Sequence, residues 1–135
     1  SRGPEALDML QAMNTGHEGS ITTIHSNSPR DTLSRMETMM LMADLELPQR
    51  VLREQISSAI HLIIHLARLP DGQRRVMYIT EVDDLDSGTI LTQDLFVTRR
   101  DETGMHMTAT GAVPNFLDFM YQNGIAVDES LFAKT

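Results

Sequence analysis

The chain has 135 residues, enough for one compact domain, and a net charge of −8 from 11 basic and 19 acidic side chains. Because duplex nucleic acid is bound through a basic face, this balance argues against a nucleic-acid partner. The absence of cysteine excludes a disulfide framework and a zinc–thiolate site and suits a cytosolic protein, and the only lysine, Lys134, cannot serve a P-loop of the form G-x-x-x-x-G-K-[ST].

The first half of the chain is predicted to alternate between helix and strand. Residues 4–14 read as an amphipathic helix, and "SITTIHS", residues 20–26, reads as a strand rich in Ile and Thr. A second helix is predicted to begin at Pro29, with Ser28 as its N-cap and Asp31 in its first turn. The stretch "LPQRVLREQISSA" predicts a third helix, which forms a helical hairpin with the second.

The second half is predicted to turn to strands. The runs "IHLIIHLARL", "RRVMYITEVDDL" and "TILTQDLFVTR" are three expected strands, separated by the turn signals "PDGQ" and "DSG". A last helix, "VPNFLDFMYQNG", is expected to present Phe116, Phe119 and Met120 on its apolar side and to stop at Gly124.

The strongest candidate site lies in "MNTGHEGSITTIHSNSP", residues 13–29. Gly16 and Gly19 flank His17 and allow close backbone approach, and a Ser/Thr-rich strand then ends at His25 before a polar loop and a helix N-terminus. Ligands of α/β proteins bind where a strand end meets such a helix start. From the residues alone two interpretations stay open: either histidine has a functional role, or both are hydrogen-bonded structural histidines.

Other polar clusters carry weaker signals. His61 and His65 have the i, i+4 spacing of metal ligands, but the general-base Glu is missing from "HLIIH", and the β-branched content favours a polar row on a half-exposed strand. The acidic run at residues 81–86 is expected to be a solvated strand end rather than a cation site. His106, beside a predicted turn, is assigned no function, and the absence of a G-x-S-x-G elbow argues against a Ser-His-Asp triad.

The stretch "RGPEALDMLQAMNTGHEGSITTIHSNSPRDTLSRMETMMLMADLELP" closely resembles the secretion ATPases of the type II/IV superfamily, and among them the CpaF/TadA type of Flp/Tad (tight-adherence) pilus assembly. Within it, "GHEGSITTIHSNSP" resembles the His box of that superfamily. Downstream, "REQISSAIHLIIHLARLPDGQRRVMYITEV" resembles the strands that follow the His box, and "LTQDLFV" and "ATGAVPNFLDFMYQNGI" resemble the C-terminal end of the CpaF/TadA type. The resemblance covers nearly the whole chain.

The resemblance implies an α/β fold, the C-terminal part of a RecA-like P-loop ATPase domain with a mixed β-sheet and packed helices. In the family, the Walker B glutamate lies two residues before the position of Arg2, and the Walker A loop lies further upstream. Residues 1–135 are therefore expected to be the C-terminal half of the motor domain, with the His box but without Walker A and Walker B. The chain alone is predicted not to hydrolyse ATP.

The resemblance also implies roles for five residues. In the family, the second histidine of the His box lies near the terminal phosphate of the nucleotide and senses it, and that role falls on His25. His17 and Thr23 are supporting catalytic candidates, and Arg2 and Ser20 are the expected nucleotide-binding residues. No metal-binding residue of this chain is implied.

For the whole protein, the resemblance implies ATP and Mg²⁺ as cofactors, a homohexameric ring, and inner-membrane platform proteins as partners. The location is expected to be cytoplasmic and peripheral to the inner membrane. The chain by itself is expected to bind no cofactor tightly and to self-associate through exposed sheet edges. A second hypothesis stays open, a stand-alone non-catalytic interaction or regulatory module derived from such an ATPase.

Overall fold

The computed structural model describes residues 19–43 and 47–135. The helix predicted over residues 4–14 lies outside this part of the chain. The described elements are helices α1 (Pro29–Met42) and α2 (Gln49–Ala59), strands β1 (Leu62–Arg68), β2 (Arg74–Asp86), β3 (Thr89–Asp101) and β4 (Gly104–Ala109), helix α3 (Phe116–Gln122) and a 3-10 helix (Glu129–Phe132). Within these residues, no helix combines the length and the apolar composition that crossing a membrane requires.

The chain divides into two compact units. The first comprises Ser1–His61 and Val82–Leu91, and the second comprises Leu62–Glu81 and Thr92–Thr135. Strands β2 and β3 each contribute residues to both units. The first unit is therefore built from α1, α2 and the tip of the β2–β3 hairpin, and the second holds β1, β4, α3 and the rest of that hairpin.

Helix α1 begins at Pro29, as the sequence predicts, because Ser28 caps it. The Ser28 Oγ accepts the Asp31 N–H at 3.0 Å, and Pro29 takes the first helical position, where a missing N–H leaves no bond unmade. Helix α1 buries Pro29, Leu33, Met36 and Met40. The predicted cap and start of this helix are confirmed.

Helix α2 packs against α1 and buries Leu52, Ile56 and Ala59. Leu52 and Ile56 are among the largest fully buried side chains, as are Met36 and Met40 of α1. The predicted helical hairpin is confirmed. Its core is filled by aliphatic and thioether side chains, which suits a chain with few aromatic residues.

The tip of the β2–β3 hairpin is tied to both helices of the first unit by arginines. Ser87 and Gly88 have φ values of 52° and 84°, as a two-residue type I′ turn requires, so the predicted "DSG" turn is confirmed. Arg53 of α2 donates from Nη1 to the Gly88 carbonyl at 2.8 Å and from Nε to Glu37 at 3.0 Å. Arg30 of α1 donates from Nη1 to the Ile90 carbonyl of the same hairpin at 2.5 Å.

We expect Arg53→Ala to lower the free energy of unfolding by about 1–3 kcal/mol, because it removes charge-assisted hydrogen bonds and leaves the mostly buried Glu37 without its ion-pair partner. Arg50→Ala is the matched control on the same helix. Arg50 pairs with Glu54 but is 77% exposed, so its loss should change the unfolding free energy by under about 0.5 kcal/mol. Urea titration measures both values, and equal losses would show that the Arg53 contacts do not stabilise the hairpin tip.

The four strands form one sheet in the order β1-β2-β3-β4. Strand β1 pairs antiparallel with β2, with an irregularity between His65 and Leu66, and β3 pairs antiparallel with β4. Short turns join each strand to the next, which requires neighbouring strands to run in opposite directions. The predicted α/β class and the three predicted strands are confirmed, and the described sheet is antiparallel.

Two strand assignments need correction. Residues 20–26 form no strand, since none of the described strands pairs with them and Ile21 is 96% exposed. The β-propensity of an Ile/Thr run is realised only against a partner backbone. Conversely, the sequence pattern does not predict β4, which forms because Gly104, with a φ of 124°, turns the chain back after Asp101 and lets it pair with β3.

The predicted apolar side of α3 is wrong at one position. Phe119 is 67% exposed, and the residue that α3 buries is Leu117, with 2% exposure. A helix of seven residues makes two turns, so it offers room for few buried positions. Gly124, with a φ of 75°, follows the end of α3, and the predicted stop there is confirmed.

The acidic run at residues 81–86 is not a uniformly solvated strand end, because Glu81 is only 3% exposed. Its carboxylate accepts the backbone N–H groups of Asn115 at 3.0 Å and Phe116 at 3.1 Å, and the Nε2 of Gln93 at 2.7 Å. These bonds satisfy a buried charge and cap the start of α3 from strand β2. The prediction of a solvated residue is wrong for Glu81 because its partners lie up to 35 positions further along the chain.

Candidate functional site

Three of the five site residues predicted from the sequence lie in the described chain. Ser20, Thr23 and His25 are on the stretch that leads into α1, and all three side chains are exposed. His17 and Arg2 lie outside the described residues. The site can therefore be described around His25, the residue to which the resemblance gives the phosphate-sensing role.

The loop that follows His25 is fixed to the first turn of α1. The Ser26 Oγ and the Thr32 Oγ1 are 2.6 Å apart, and the Asn27 N–H donates to the Asp31 Oδ2 at 2.8 Å. The polar residues 26–28 thus fold back onto the start of the helix and form hydrogen bonds with it, as Ser and Asn commonly do at helix N-termini. As a result, the backbone next to His25 is held against α1.

A groove of about 420 Å³ lies between this stretch and α1. The groove is lined by Thr23, Ile24 and His25 from the stretch and by Arg35, Thr38 and Met39 from the helix. The structure therefore brings Thr23 and His25 to one surface. Ser20 is not among the lining residues.

Arg35 is a lining residue that the sequence reasoning missed. Its Nε donates to the Asp31 Oδ2 at 2.8 Å, the same carboxylate oxygen that accepts the Asn27 N–H. The signal available in the sequence was the i, i+4 spacing of Asp31 and Arg35 on a helix that starts just after residues 16–28. Such a spacing is common on exposed helices, so it does not by itself indicate a site.

The lining side chains favour an anion over a cation. Two threonine hydroxyls, an imidazole and a guanidinium can all donate hydrogen bonds, and among the described lining residues none is acidic. Planar guanidinium groups bind phosphate or carboxylate oxygens in pairs. The groove can thus take an anionic group between His25 and Arg35, with Thr23 and Thr38 as further donors.

The remaining histidines lie apart from this groove. His61 is exposed and precedes β1. His65 lies on β1, with its ring 6.1 Å from that of Tyr78. The prediction that both histidines lie on one strand is therefore confirmed only for His65. His106 contacts the Thr103 Oγ1 at 2.7 Å in the β3–β4 turn. Hydrogen bonds from the side chain and backbone of Thr103 lower the pKa of Asp101 in the same turn. In the described part of the chain, no group of three or more His, Asp or Glu side chains is placed to hold a metal ion.

The chain matches the sequence model of a known protein family. The sequence model of the family described as type II/IV secretion system protein matches residues 1–113 of this chain. The matched part ends just before α3 and includes all of the described residues that line the groove.

Curated proteins of bacterial transfer and secretion systems are similar to the chain. A conjugal transfer protein of Mycobacterium tuberculosis is 38% identical over 78 residues, which cover 58% of this chain and 22% of that protein. The conjugal transfer protein TrbB of Rhizobium radiobacter is 40% identical over 73 residues, covering 54% and 21% respectively. The type IV secretion system protein PtlH of Bordetella pertussis is 37% identical over 89 residues, covering 62% and 26%. The matched part thus spans between 21% and 26% of the length of these three relatives.

Proposed function

This chain belongs to the type II/IV secretion system protein family, and on that premise we propose that it is part of an ATPase that powers secretion or pilus assembly. In this proposal, residues 1–135 are the C-terminal half of the RecA-like motor domain and carry its His box. The whole protein binds ATP with Mg²⁺ and hydrolyses it. The P-loop and the catalytic glutamate come from parts of that protein outside the printed sequence.

The observation that carries this proposal is the placement of His25 and Thr23 in a groove rich in hydrogen-bond donors. In phosphoryl transfer the protein chiefly positions groups and stabilises the developing charge. An imidazole N–H of His25 donates to a terminal phosphate oxygen or orients the attacking water. The hydrogen bonds from Asn27 and Ser26 to α1 then couple this contact to the helix.

The finer assignment is to the CpaF/TadA type, the motors of Flp/Tad pilus assembly. Its support is the resemblance of "LTQDLFV" and "ATGAVPNFLDFMYQNGI" to the end of that type. The protein works as a homohexamer on the cytoplasmic side of the inner membrane, docked on membrane-embedded platform proteins. His17 assists His25, and Arg2 and Ser20 contact the nucleotide.

The test is steady-state ATP hydrolysis by the full-length protein that carries this chain, beside the same assay on residues 1–135 alone. We expect Mg²⁺-dependent turnover only from the full-length protein, because the printed sequence has no P-loop lysine and so lacks most of the phosphate stabilisation. Removing Mg²⁺ with a chelator should abolish turnover. A full-length protein that neither binds nor hydrolyses ATP would overturn the motor proposal and favour the stand-alone interaction or regulatory module.

A further inference from the structure

We propose that Arg35 is a second phosphate-binding residue of the groove and that it binds the terminal phosphate of a nucleoside triphosphate together with His25. This inference rests on the proposed function and deepens it, because it assigns a ligand contact to a residue outside the His-box stretch. Arg35 lies ten positions after His25, on the helix that forms the other wall of the groove.

The position of Arg35 suits an anion that enters between the two walls. Its side chain is half exposed and lines the groove with Thr38 on α1, facing Thr23 and His25 on the opposite wall. The guanidinium contacts Asp31 through Nε, while the terminal nitrogens of an arginine form the fork that binds two oxygens of one phosphate. A tetrahedral terminal phosphate can thus accept from the guanidinium on one side and from the imidazole on the other.

Charge in the groove points to the same ligand. The chain carries a net charge of −8, yet the described residues that line this groove include one arginine, one histidine and no carboxylate. The lining side chains therefore offer hydrogen-bond donors to an anion and no carboxylate that would repel it. A nucleoside diphosphate lacks the terminal phosphate that Arg35 would contact. Arg35 should therefore raise the affinity for a triphosphate and not for a diphosphate.

Asp31 is the positioning residue for this contact. Its Oδ2 accepts the Arg35 Nε and the Asn27 N–H, each at 2.8 Å. The carboxylate therefore holds the guanidinium at the groove and, through the same atom, holds the loop that follows His25. A phosphate bound by the terminal nitrogens leaves the Nε contact in place and is thereby connected to that loop through the same carboxylate.

Arg35 is expected to contribute little to the stability of the fold. The pair with Asp31 is an i, i+4 ion pair with both side chains partly exposed, a class of contact that adds little to stability. Arg50 and Glu54 form the same kind of pair on α2, outside the groove. Arg50 is therefore a matched control that loses an arginine and an equivalent ion pair without touching the ligand surface.

The experiment is calorimetric titration of the full-length protein with ADP and with a non-hydrolysable β,γ-imido analogue of ATP. Arg35→Ala should weaken binding of the analogue about 10-fold or more, the scale of a lost charge-assisted hydrogen bond, and leave ADP binding unchanged. Arg35→Lys should recover part of the loss, since it keeps the charge but not the fork. Arg50→Ala should change neither affinity, and thermal unfolding should be alike in all variants.

The results separate this inference from the function on which it rests. If Arg35→Ala leaves binding of the analogue unchanged while the wild-type protein binds and hydrolyses ATP, the phosphate role of Arg35 is wrong and the motor proposal stands. Equal losses for ADP and the analogue in Arg35→Ala would also overturn a terminal-phosphate contact. A wild-type protein that binds neither nucleotide would overturn both proposals.

Discussion

Replacing His25 by Ala should lower ATP turnover by the full-length protein about 100-fold, the scale of losing one group that positions or stabilises the transition state. Nucleotide binding should survive in large part, because the proposed P-loop elsewhere in the protein supplies most of the phosphate contacts. The change should therefore fall mainly on kcat and only weakly on KM. Thermal unfolding should not change, since the His25 side chain is exposed.

The control for this prediction is His61→Ala. His61 is also an exposed histidine of the first unit, and it does not line the groove, so its replacement should leave turnover intact. His25→Asn keeps a hydrogen-bond donor near the same place and should recover part of the lost activity. Unchanged turnover in His25→Ala would mean that the histidine is structural and that the groove does not serve hydrolysis.

Replacing Glu81 by Ala should produce the largest loss of stability, about 3 kcal/mol in the free energy of unfolding. The substitution removes three hydrogen bonds to a buried carboxylate and leaves the N–H groups of Asn115 and Phe116 without their acceptor. Urea titration measures the loss. Amide hydrogen exchange should also accelerate at residues 115 and 116, because their N–H groups lose the cap that protects them.

Two further variants test the cause of that loss. Glu81→Gln keeps the shape and one acceptor oxygen but turns an NH₂ donor toward other donors, so it should cost less than Glu81→Ala, about 1–2 kcal/mol. Asp84→Ala removes an exposed carboxylate from the same strand and should change stability by under about 0.5 kcal/mol. Similar losses for Glu81→Ala and Asp84→Ala would contradict a buried helix cap.

Local signals in the sequence were enough to predict the start of α1 and the β2–β3 turn. Ser28 caps through atoms three residues away, and Gly88 adopts positive φ without the penalty of a Cβ atom. In both cases the residues that decide the structure are neighbours in the chain. The hydrogen bonds after His25 also join residues that are near neighbours in the chain.

Longer-range contacts could not be predicted in this way. Residues 20–26 have the composition of a strand, but strand formation depends on a partner backbone, and none of the described strands supplies one. The partners of Glu81 are Gln93 and the start of α3, which lie far from it in the chain. The local sequence therefore does not distinguish Glu81 from a solvent-exposed glutamate. Arg35 reaches the groove only because the preceding loop folds back along α1.

The division of the chain has a consequence for how such a domain can evolve. The first unit includes Val82–Leu91, a segment that lies in sequence between the two parts of the second unit. The chain therefore passes between the units three times, after residues 61, 81 and 91. A recombination event with a single crossover after His61 would transfer both helices without the hairpin whose carbonyls bind Arg30 and Arg53. The two units are thus expected to be inherited together, and homologous exchange should preserve the pairing of those arginines with their own hairpin.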